Sequence, residues 1–422
     1  IIGIAFDADA GTLTYYKNGV SQGTAFSSIP SGSYSFGYGN GTSGGSFNFG
    51  QRPFSYTPPT GYVALNTFNL PTPTILQGNK YMDATLYSGL NAPQTIVNQS
   101  QFQPDMVWFK TRNVVGNNTI YDVVRGVTKL VFPNSANAES TYSGGLTSFN
   151  TNGFSVAYSA DSNFNASGYT YVAWNWQAGQ GSTSSNTSGS ITSTVSVNAT
   201  AGFSIVTYTG AGTSAGTVGH GLGVAPKLII AKTRTNAQDW VVYHSVLGTN
   251  QLLILNSTSA ASTISNYWGS SAPTSTVFGV YTGNNIGNNN YLNIPIVAYC
   301  WAEIAGFSKF GSYTGNSSTD GPFVYLGFRP KFVIFRDYTN AHSWVMVDSS
   351  RNTYNVAGDY LRAESTAVEN ATYSVANNTA VDFLSNGFKL RNAAVNSGEN
   401  NGSSNYIYMA FAENPFKNAN AR

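Results

Sequence analysis

Charge is what this 422-residue sequence has least of. Asp, Glu, Lys and Arg make up 9% of it, against about 25% in an ordinary soluble domain. Amides, hydroxyls and glycine must therefore cover most of the surface. Such a surface keeps its hydrogen bonds at any ionic strength, whereas exposed ion pairs are screened by salt. The 20 basic residues balance 18 acidic ones and neither sign forms a block, which excludes the basic stripe of a nucleic-acid binder. The single cysteine, Cys300, excludes an intrachain disulfide framework and a cysteine zinc site. Within "IVAYCWAEI" it reads as a small core residue. No apolar run approaches the roughly 18 residues needed to span a bilayer, so no membrane insertion is expected. The three histidines, His220, His244 and His342, have neither metal-ligand spacing nor a neighbouring serine elbow. No metal, cofactor or histidine catalysis is expected from them.

What the sequence does have is alternation. Val, Ile, Thr and aromatics recur in runs of four to eight broken by Gly, Asn, Ser and Pro, and no stretch keeps a helical period for a dozen residues. The expected fold is all-β, built of serial β-sandwich modules of jelly-roll or concanavalin-like type. A few short helical turns are expected at most, for instance around Gly358 to Val368.

Residues 1–57 form a first unit: strand, turn at Ala8 to Gly11, strand, an Asn18-Gly19 hairpin turn of the type I′ class, a third strand, then two more in "SYSFGYG" and "GSFNFGQ". The run "GTLTYYKNG" followed by "FNFGQ" resembles the second half of a SPRY domain. That resemblance implies a β-sandwich whose N-terminal strands are absent here. The opening "IIGIAFDADAG" has neither a basic leader nor an initiator methionine, and a fragment or processed chain is expected. Asp7 and Asp9 read as turn formers, since the later ligands of a calcium loop are missing. A connector rich in proline follows at 58–79.

Three further units repeat one pattern. A Tyr-(Ser/Thr)-Gly turn begins each, at Tyr87, Tyr208 and Tyr313. A proline then leads a buried strand ending in a basic residue: Pro104 to Lys110, Pro226 to Lys232, Pro330 to Arg336. Tyr121, Trp240 and Trp344 follow at similar offsets, and an aromatic strand closes each unit at Trp176, Trp301 and Phe411. "NTNGFSV" and "LSNGFKL" mark a hairpin in the first and third copies. Four landmarks in one order define a repeat, giving modules at 80–178, 201–305 and 306–422. The Ser/Thr/Gly-rich stretch 179–200 reads as a linker with hinge freedom, and the joint near residue 305 as stiffer.

A site shared by the copies should occupy equivalent positions. The carboxylates Asp105, Asp122, Asp239, Asp337, Asp348 and Glu303 are scattered, and Asp105 becomes Lys227 and Lys331 in the other copies, so no repeated acid–base pair emerges. No catalytic residue is assigned and no enzyme activity is expected. Lys110, Lys232 and Arg336 do recur, and read as strand-end charges that discourage edge pairing. Aromatics are 14% of the chain and sit among adaptable amides, a pairing that polar recognition surfaces use. The loop aromatics Tyr142, Tyr158, Phe164, Tyr267, Trp268 and Tyr354 are the ligand-binding candidates.

The stretch "GFSIVTYTGAGTSAGTVGHGLGVAPKLIIAKTRTNAQDWVVYH", residues 202–244, resembles a repeat of tail-fibre and other virion structural proteins of tailed bacteriophages, particularly marine ones. That resemblance implies a virion location, other virion proteins as partners, and trimerisation by analogy with fibres, although no heptad coiled coil is present. The expected role is a tail fibre or adhesin that meets a host polysaccharide or envelope protein. A non-adhesive architectural component and a polysaccharide depolymerase are the alternatives.

Overall fold

A computed structural model describes the chain except for residues 31–33, 35–36, 38–44, 71, 158–162, 214, 283–288, 370–379, 393–398 and 416–422. It contains two compact units, Ile1–Thr72 and Pro73–Arg422, and both are all-β. The described helices are two single 3₁₀ turns, Thr67–Asn69 and Gly78–Lys80. The first unit is an antiparallel meander of β1 (Ile2–Asp7), β2 (Thr12–Lys17) and β3 (Val20–Phe26). Asn18 and Gly19 both have positive φ, as a type I′ turn requires. Asp7 accepts the amides of Asp9 and Ala10, which makes it a turn former. "GSFNFGQ" is not a strand. Asn48 bonds the Gly50 and Arg52 amides and turns the chain there. Most of "SYSFGYG" lies outside the described residues.

The second unit holds the three repeats. Module 1 contains β4 (Met82–Ser88), β5 (Gln94–Val97), β6 (Met106–Thr111), β7 (Thr119–Asp122), β8 (Lys129–Leu130), β9 (Ser140–Thr141), β10 (Leu146–Asn150), β11 (Gly153–Val156) and β12 (Thr170–Trp176). Module 2 contains β13 (Ser184–Asn186), β14 (Ser193–Asn198), β15 (Phe203–Thr209), β16 (Gly216–Gly219), β17 (Leu228–Thr233), β18 (Val241–His244), β19 (Gln251–Ile254), β20 (Ser262–Thr263), β21 (Val277–Val280) and β22 (Pro295–Trp301). Module 3 contains β23 (Ser308–Thr314), β24 (Phe323–Tyr325), β25 (Phe328–Asp337), β26 (Val345–Asp348), β27 (Leu361–Arg362), β28 (Val381–Leu384), β29 (Gly387–Leu390) and β30 (Asn405–Pro415).

One topology recurs. The main sheets run β4-β12-β6-β7, β15-β22-β17-β18 and β23-β30-β25-β26, and a smaller sheet covers one face of each. The proline-led strands β6, β17 and β25 lie inside their sheets and are buried along their whole length, because their near-continuous apolar runs must be covered on both faces. The "NG" hairpins are β10-β11 and β28-β29.

Three expectations need correction. Residues 179–200 are not a free linker: β14 pairs with β15 along its whole length, and β13 adds to β14. The Ser/Val alternation there is that of a half-buried strand, with Val195 in the module core. Around Gly358–Val368 there is no helix, because Leu361 and Arg362 pair with β26. Nor is Tyr121 the counterpart of Trp240 and Trp344. Asp122, His244 and Asp348 face Met106, Leu228 and Phe332 in register, so the residue equivalent to those tryptophans is Asn118.

The modules are not arranged as beads. One face of every main sheet enters a single apolar core that includes Trp108, Trp174 and Trp176 of module 1, Tyr299 and Trp301 of module 2, and Phe332 and Phe411 of module 3. The closing aromatics meet there, with the Trp176 ring 6.0 Å from Trp301 and 5.8 Å from Phe411. Equivalent backbone bonds close a ring. Glu139 N donates to Arg234 O (2.7 Å), Ala261 N to Tyr338 O (2.9 Å), and Glu369 N to Arg112 O (2.7 Å). These bonds join modules 1 and 2, 2 and 3, and 3 and 1 in turn. The side chains before the fourth strand repeat the cycle. Trp240 Nε1 donates to Phe132 O, Trp344 Nε1 to Ile254 O, and Asn118 Nδ2 to Arg362 O. A threefold arrangement is thus built inside one chain.

The three interfaces differ in chemistry at matching positions. Between modules 1 and 2, Arg125 bonds Asp122 (2.5 Å) and Glu139 (3.2 Å), and Glu139 also bonds Arg234 (2.9 Å). Between modules 3 and 1, Arg351 bonds Asp348 (2.6 Å) and Glu369 (2.9 Å), and Glu369 bonds Arg112 (2.7 Å). Between modules 2 and 3 the same four places hold His244, Leu247, Ala261 and Tyr338, of which the last three pack against the shared core. Removing one partner of a buried ion pair strands the other, so Asp348→Ala should cost about 3–5 kcal/mol in urea unfolding. The fourfold change Asp348→His, Arg351→Leu, Glu369→Ala and Arg112→Tyr copies the apolar interface and should recover most of that loss.

His244 gives a pH signature. Its Nδ1 accepts from Val246 N and its Nε2 lies 3.2 Å from the Tyr408 carbonyl, an arrangement that suits the neutral ring. Burial holds its pKa down to about 4, below the unfolded value of about 6.5. The unfolded chain therefore takes up the proton first, so this stability is full above pH 6.5 and lost as pH falls toward 4. Thermal melts over that range should show a loss approaching about 3 kcal/mol, and His244→Gln should flatten the difference.

Candidate recognition surface

Each module presents one end where the loops that follow the first two main-sheet strands in chain order meet the loop before the closing aromatic strand. The Tyr-(Ser/Thr)-Gly motif builds that end. Tyr87, Tyr208 and Tyr313 donate through their hydroxyls to the carbonyls of Phe164, Asn289 and Glu399. The next residue in each case is a fully buried asparagine, Asn165, Asn290 or Asn400. Its amide ties the two loops: Asn165 Oδ1 accepts Leu90 N, Asn290 Oδ1 accepts Ala211 N, and Asn400 Oδ1 accepts Asn316 N. The glycine is required by close approach, since a Cβ on Gly89 or Gly210 would lie 2.1 or 2.0 Å from the carbonyl oxygens of Ala166 or Tyr291.

The exposed residues at these ends include Leu90 and Val115 in module 1, Thr235, Tyr291 and Leu292 in module 2, and Asn316, Thr339 and Ser403 in module 3. Arg112 and Arg234, which begin two of the loops, are taken up by Glu369 and Glu139. Asp320, in the loop after β23, is exposed and pairs with Lys389, and the rest of the surface is mainly hydroxyl, amide and apolar in character. The recurring cations are not at the surface, contrary to the reading of them as strand-end charges. Lys110, Lys232 and Arg336 are buried and point the same way as the apolar residues two before them. Lys110 donates to the carbonyls of Gly116 and Thr366, Lys232 to those of Thr233 and Asn236, and Arg336 to that of Ser259. They pin loops, and two of them pin a neighbouring module's loop.

Three candidate aromatics are core residues. Phe164 stacks on Tyr142 and meets Phe109 edge-on, and Tyr267 and Trp268 pack against each other and are fully buried. Their loops fold back under the smaller sheets, where large rings fill the gap between layers. Tyr142 is half-buried against the same core. Tyr158 lies outside the described residues. Among the described candidates only Tyr354 is freely exposed, at 81%, and it follows β26, at the opposite end of its module from the loop surface. Among the described candidates the structure pairs Tyr142 with Phe164 and Tyr267 with Trp268, and gathers the five at no common surface.

The acidic candidates have structural partners. Asp105 accepts the amides of Ala178, Gln180 and Gly181 where the chain passes into module 2. Asp122 and Asp348 hold the interface arginines, Asp239 accepts from Asn256, and Glu303 accepts from Phe310 N. Asp337 bonds Thr339, Asn340 and His342 and is held below the usual carboxylate range by those hydrogen bonds against the opposing effect of burial. Among the described residues no group of three His, Cys, Asp or Glu could hold a metal ion. A void lined by Trp108, Leu228, Ile230, Ile334 and Met409 is part of the shared apolar core. The interface networks were missed by sequence reasoning. Their signal was the Asp-x-x-Arg spacing shared by Asp122/Arg125 and Asp348/Arg351.

Residues 77–415 match the model of a family described as a domain of unknown function, DUF7483. The match spans most of the chain, and the protein belongs to this family. Its limits fall just before β4 and at the end of β30, so all three modules lie within one family domain. No curated protein and no solved structure matches the chain.

Two outcomes follow for this end of the molecule. Gly89→Ala should cost several kcal/mol in denaturant unfolding, because the carbonyl it would strike is backbone, while Gly168→Ala, with open space around it, should cost only the strain of its positive φ, about 1 kcal/mol. Burial lowers the pKa of Lys110 and of Lys232 to about 8, below the unfolded value of about 10.4. Here too the unfolded state binds the proton more tightly, so stability should rise as pH increases from 8 toward 10. Lys110→Met and Lys232→Met should each weaken that rise in pH-dependent melts.

Proposed function

We propose that this protein is a structural component of a tailed-phage particle, a tail fibre or adhesin that contributes to recognition of a host surface, with polysaccharide as the favoured target. The observation that carries the reading is a tightly bonded scaffold whose three modules each present an end where hydroxyls, amides and apolar side chains predominate and the charged side chains are ion-paired. Such groups bond sugar hydroxyls and cover sugar faces without depending on ionic strength. The resemblance of residues 202–244 to fibre repeats and of the first unit to a SPRY domain supports the same reading. Three modules in one chain also place weak sites close together, which favours binding by multivalency. Partners on this reading are other virion proteins and a host polysaccharide or envelope protein.

One observation favours a second reading, an architectural role. The first unit's β3 is exposed along its whole length, and Ile2, Ile4, Val20 and Phe26 are exposed in that sheet. An apolar face of this kind suits docking to another particle protein.

The test measures retention of the purified chain on host-envelope polysaccharide at rising salt, together with release of reducing ends. The adhesin reading predicts salt-resistant retention without release, weakened about tenfold by Tyr291→Ala with Leu292→Ser and unchanged by Tyr354→Ala. No retention by a folded sample would favour the architectural reading. Released reducing ends would point to a depolymerase.

A further inference from the structure

Residues 184–198 do more than widen a sheet. β14 runs antiparallel along β15, and just before it Ile191 makes a parallel bridge to Val218 of β16. Ile191 N donates to Thr217 O (3.0 Å), Thr217 N to Ser190 Oγ (2.9 Å), and Ser193 Oγ to Gly219 O (2.7 Å). This segment closes the side of module 2 where the edge strands of its two sheets, β15 and β16, lie next to each other.

Module 3 has the same two edge strands, β23 and β24, and among the described residues nothing pairs with their outer edges. Val324 faces Phe388 as Val218 faces Phe278, so Phe323 and Tyr325 stand where module 2 has Thr217 and Gly219. Leu390 N donates to Pro322 O, and by alternation the amide and carbonyl of Phe323 point outward, as those of Thr217 do. On β23 the Phe310 amide points outward to the Glu303 carboxylate, so the amides of Ser312 and Thr314 point outward beyond it. Phe323 and Tyr325 are 46% and 49% exposed. Lys309 folds over the Tyr325 ring and donates to its carbonyl.

We propose that this open side of module 3 takes up an extended segment of another polypeptide, which adds antiparallel to the Ser312–Thr314 end of β23 and bridges to β24. The model for the occupant is residues 189–194, "GSITST", on module 2. Its β-branched residues would enter the gap between the sheets, its hydroxyls would meet the β24 backbone, and the Phe323 and Tyr325 rings would flank it. This is strand addition, in which main-chain bonds give affinity and alternate side chains give specificity. Open edges are normally blocked, and here Glu303 covers only the start of β23 and Lys309 only the Tyr325 carbonyl of β24.

The experiment titrates the full chain into a fluorescein-labelled peptide with the sequence of residues 184–198, followed by anisotropy, with sedimentation velocity of the unlabelled protein alongside. The expected result is saturable binding weakened about tenfold or more by Ser312→Pro, which removes an outward amide but no bond to β30. Phe323→Ser with Tyr325→Ser, two half-exposed positions that leave the fold intact, should weaken it similarly. Absence of saturable binding, or binding undiminished in both variants, would overturn the proposal. So would a concentration-dependent dimer lost on Ser312→Pro, since it would assign this side to a second copy of the chain.

Discussion

The structure depends on one constraint: each main sheet is apolar on both faces, and its smaller companion sheet covers only one of them. The other face can leave water only against the equivalent faces of the two remaining modules. Trp176, Trp301 and Phe411, each at most 1% exposed, are where this requirement is met. Burying a large aromatic side chain stabilises by about 1.5–3 kcal/mol relative to exposure, so a module standing alone would forfeit several such terms. The cross-module hydrogen bonds add direction to a core that would otherwise be non-directional.

Within that frame the ring tolerates chemical variation at its seams. Two interfaces use a buried carboxylate–arginine network and the third uses histidine, leucine, alanine and tyrosine at the same places. The backbone bond is the same in all three. The geometry is therefore carried by main chain and core, and the ion pairs add little to it, in keeping with the modest net value of buried pairs. The recurring lysines and arginine fit the same logic, each taking backbone carbonyls in place of a carboxylate.

Much of the fold could be read from the sequence, and the reasons are specific. Proline-led apolar runs, the Tyr-(Ser/Thr)-Gly turns and the Asn-Gly hairpins are local signals, and their structures are local. The closing aromatics were visible as a pattern, yet their meeting point was not, because a repeat in sequence says nothing of how copies pack. Residues 179–200 misled because a Ser-rich and Thr-rich stretch serves a strand as well as a linker, and only the edge of β15 that the segment pairs with in module 2 decides between them. Lys110, Lys232 and Arg336 looked like surface charges because carbonyl acceptors leave no mark in a sequence. Among the recognition candidates, Phe164, Tyr267 and Trp268 looked like loop residues by their Gly and Asn neighbours, but those loops return to the core. The loop ends themselves carry no rare residue type, so composition hinted at their character without locating them.

If the shared core is what holds the modules, they should gain and lose structure together. Native-state hydrogen exchange measured as a function of denaturant, comparing amides in β6, β17 and β25, tests this most directly. The account predicts that the slowest amides in all three strands exchange through one opening of the same free energy and the same denaturant dependence. Three separate opening energies, with one module's strand exchanging while the others stay protected, would contradict it.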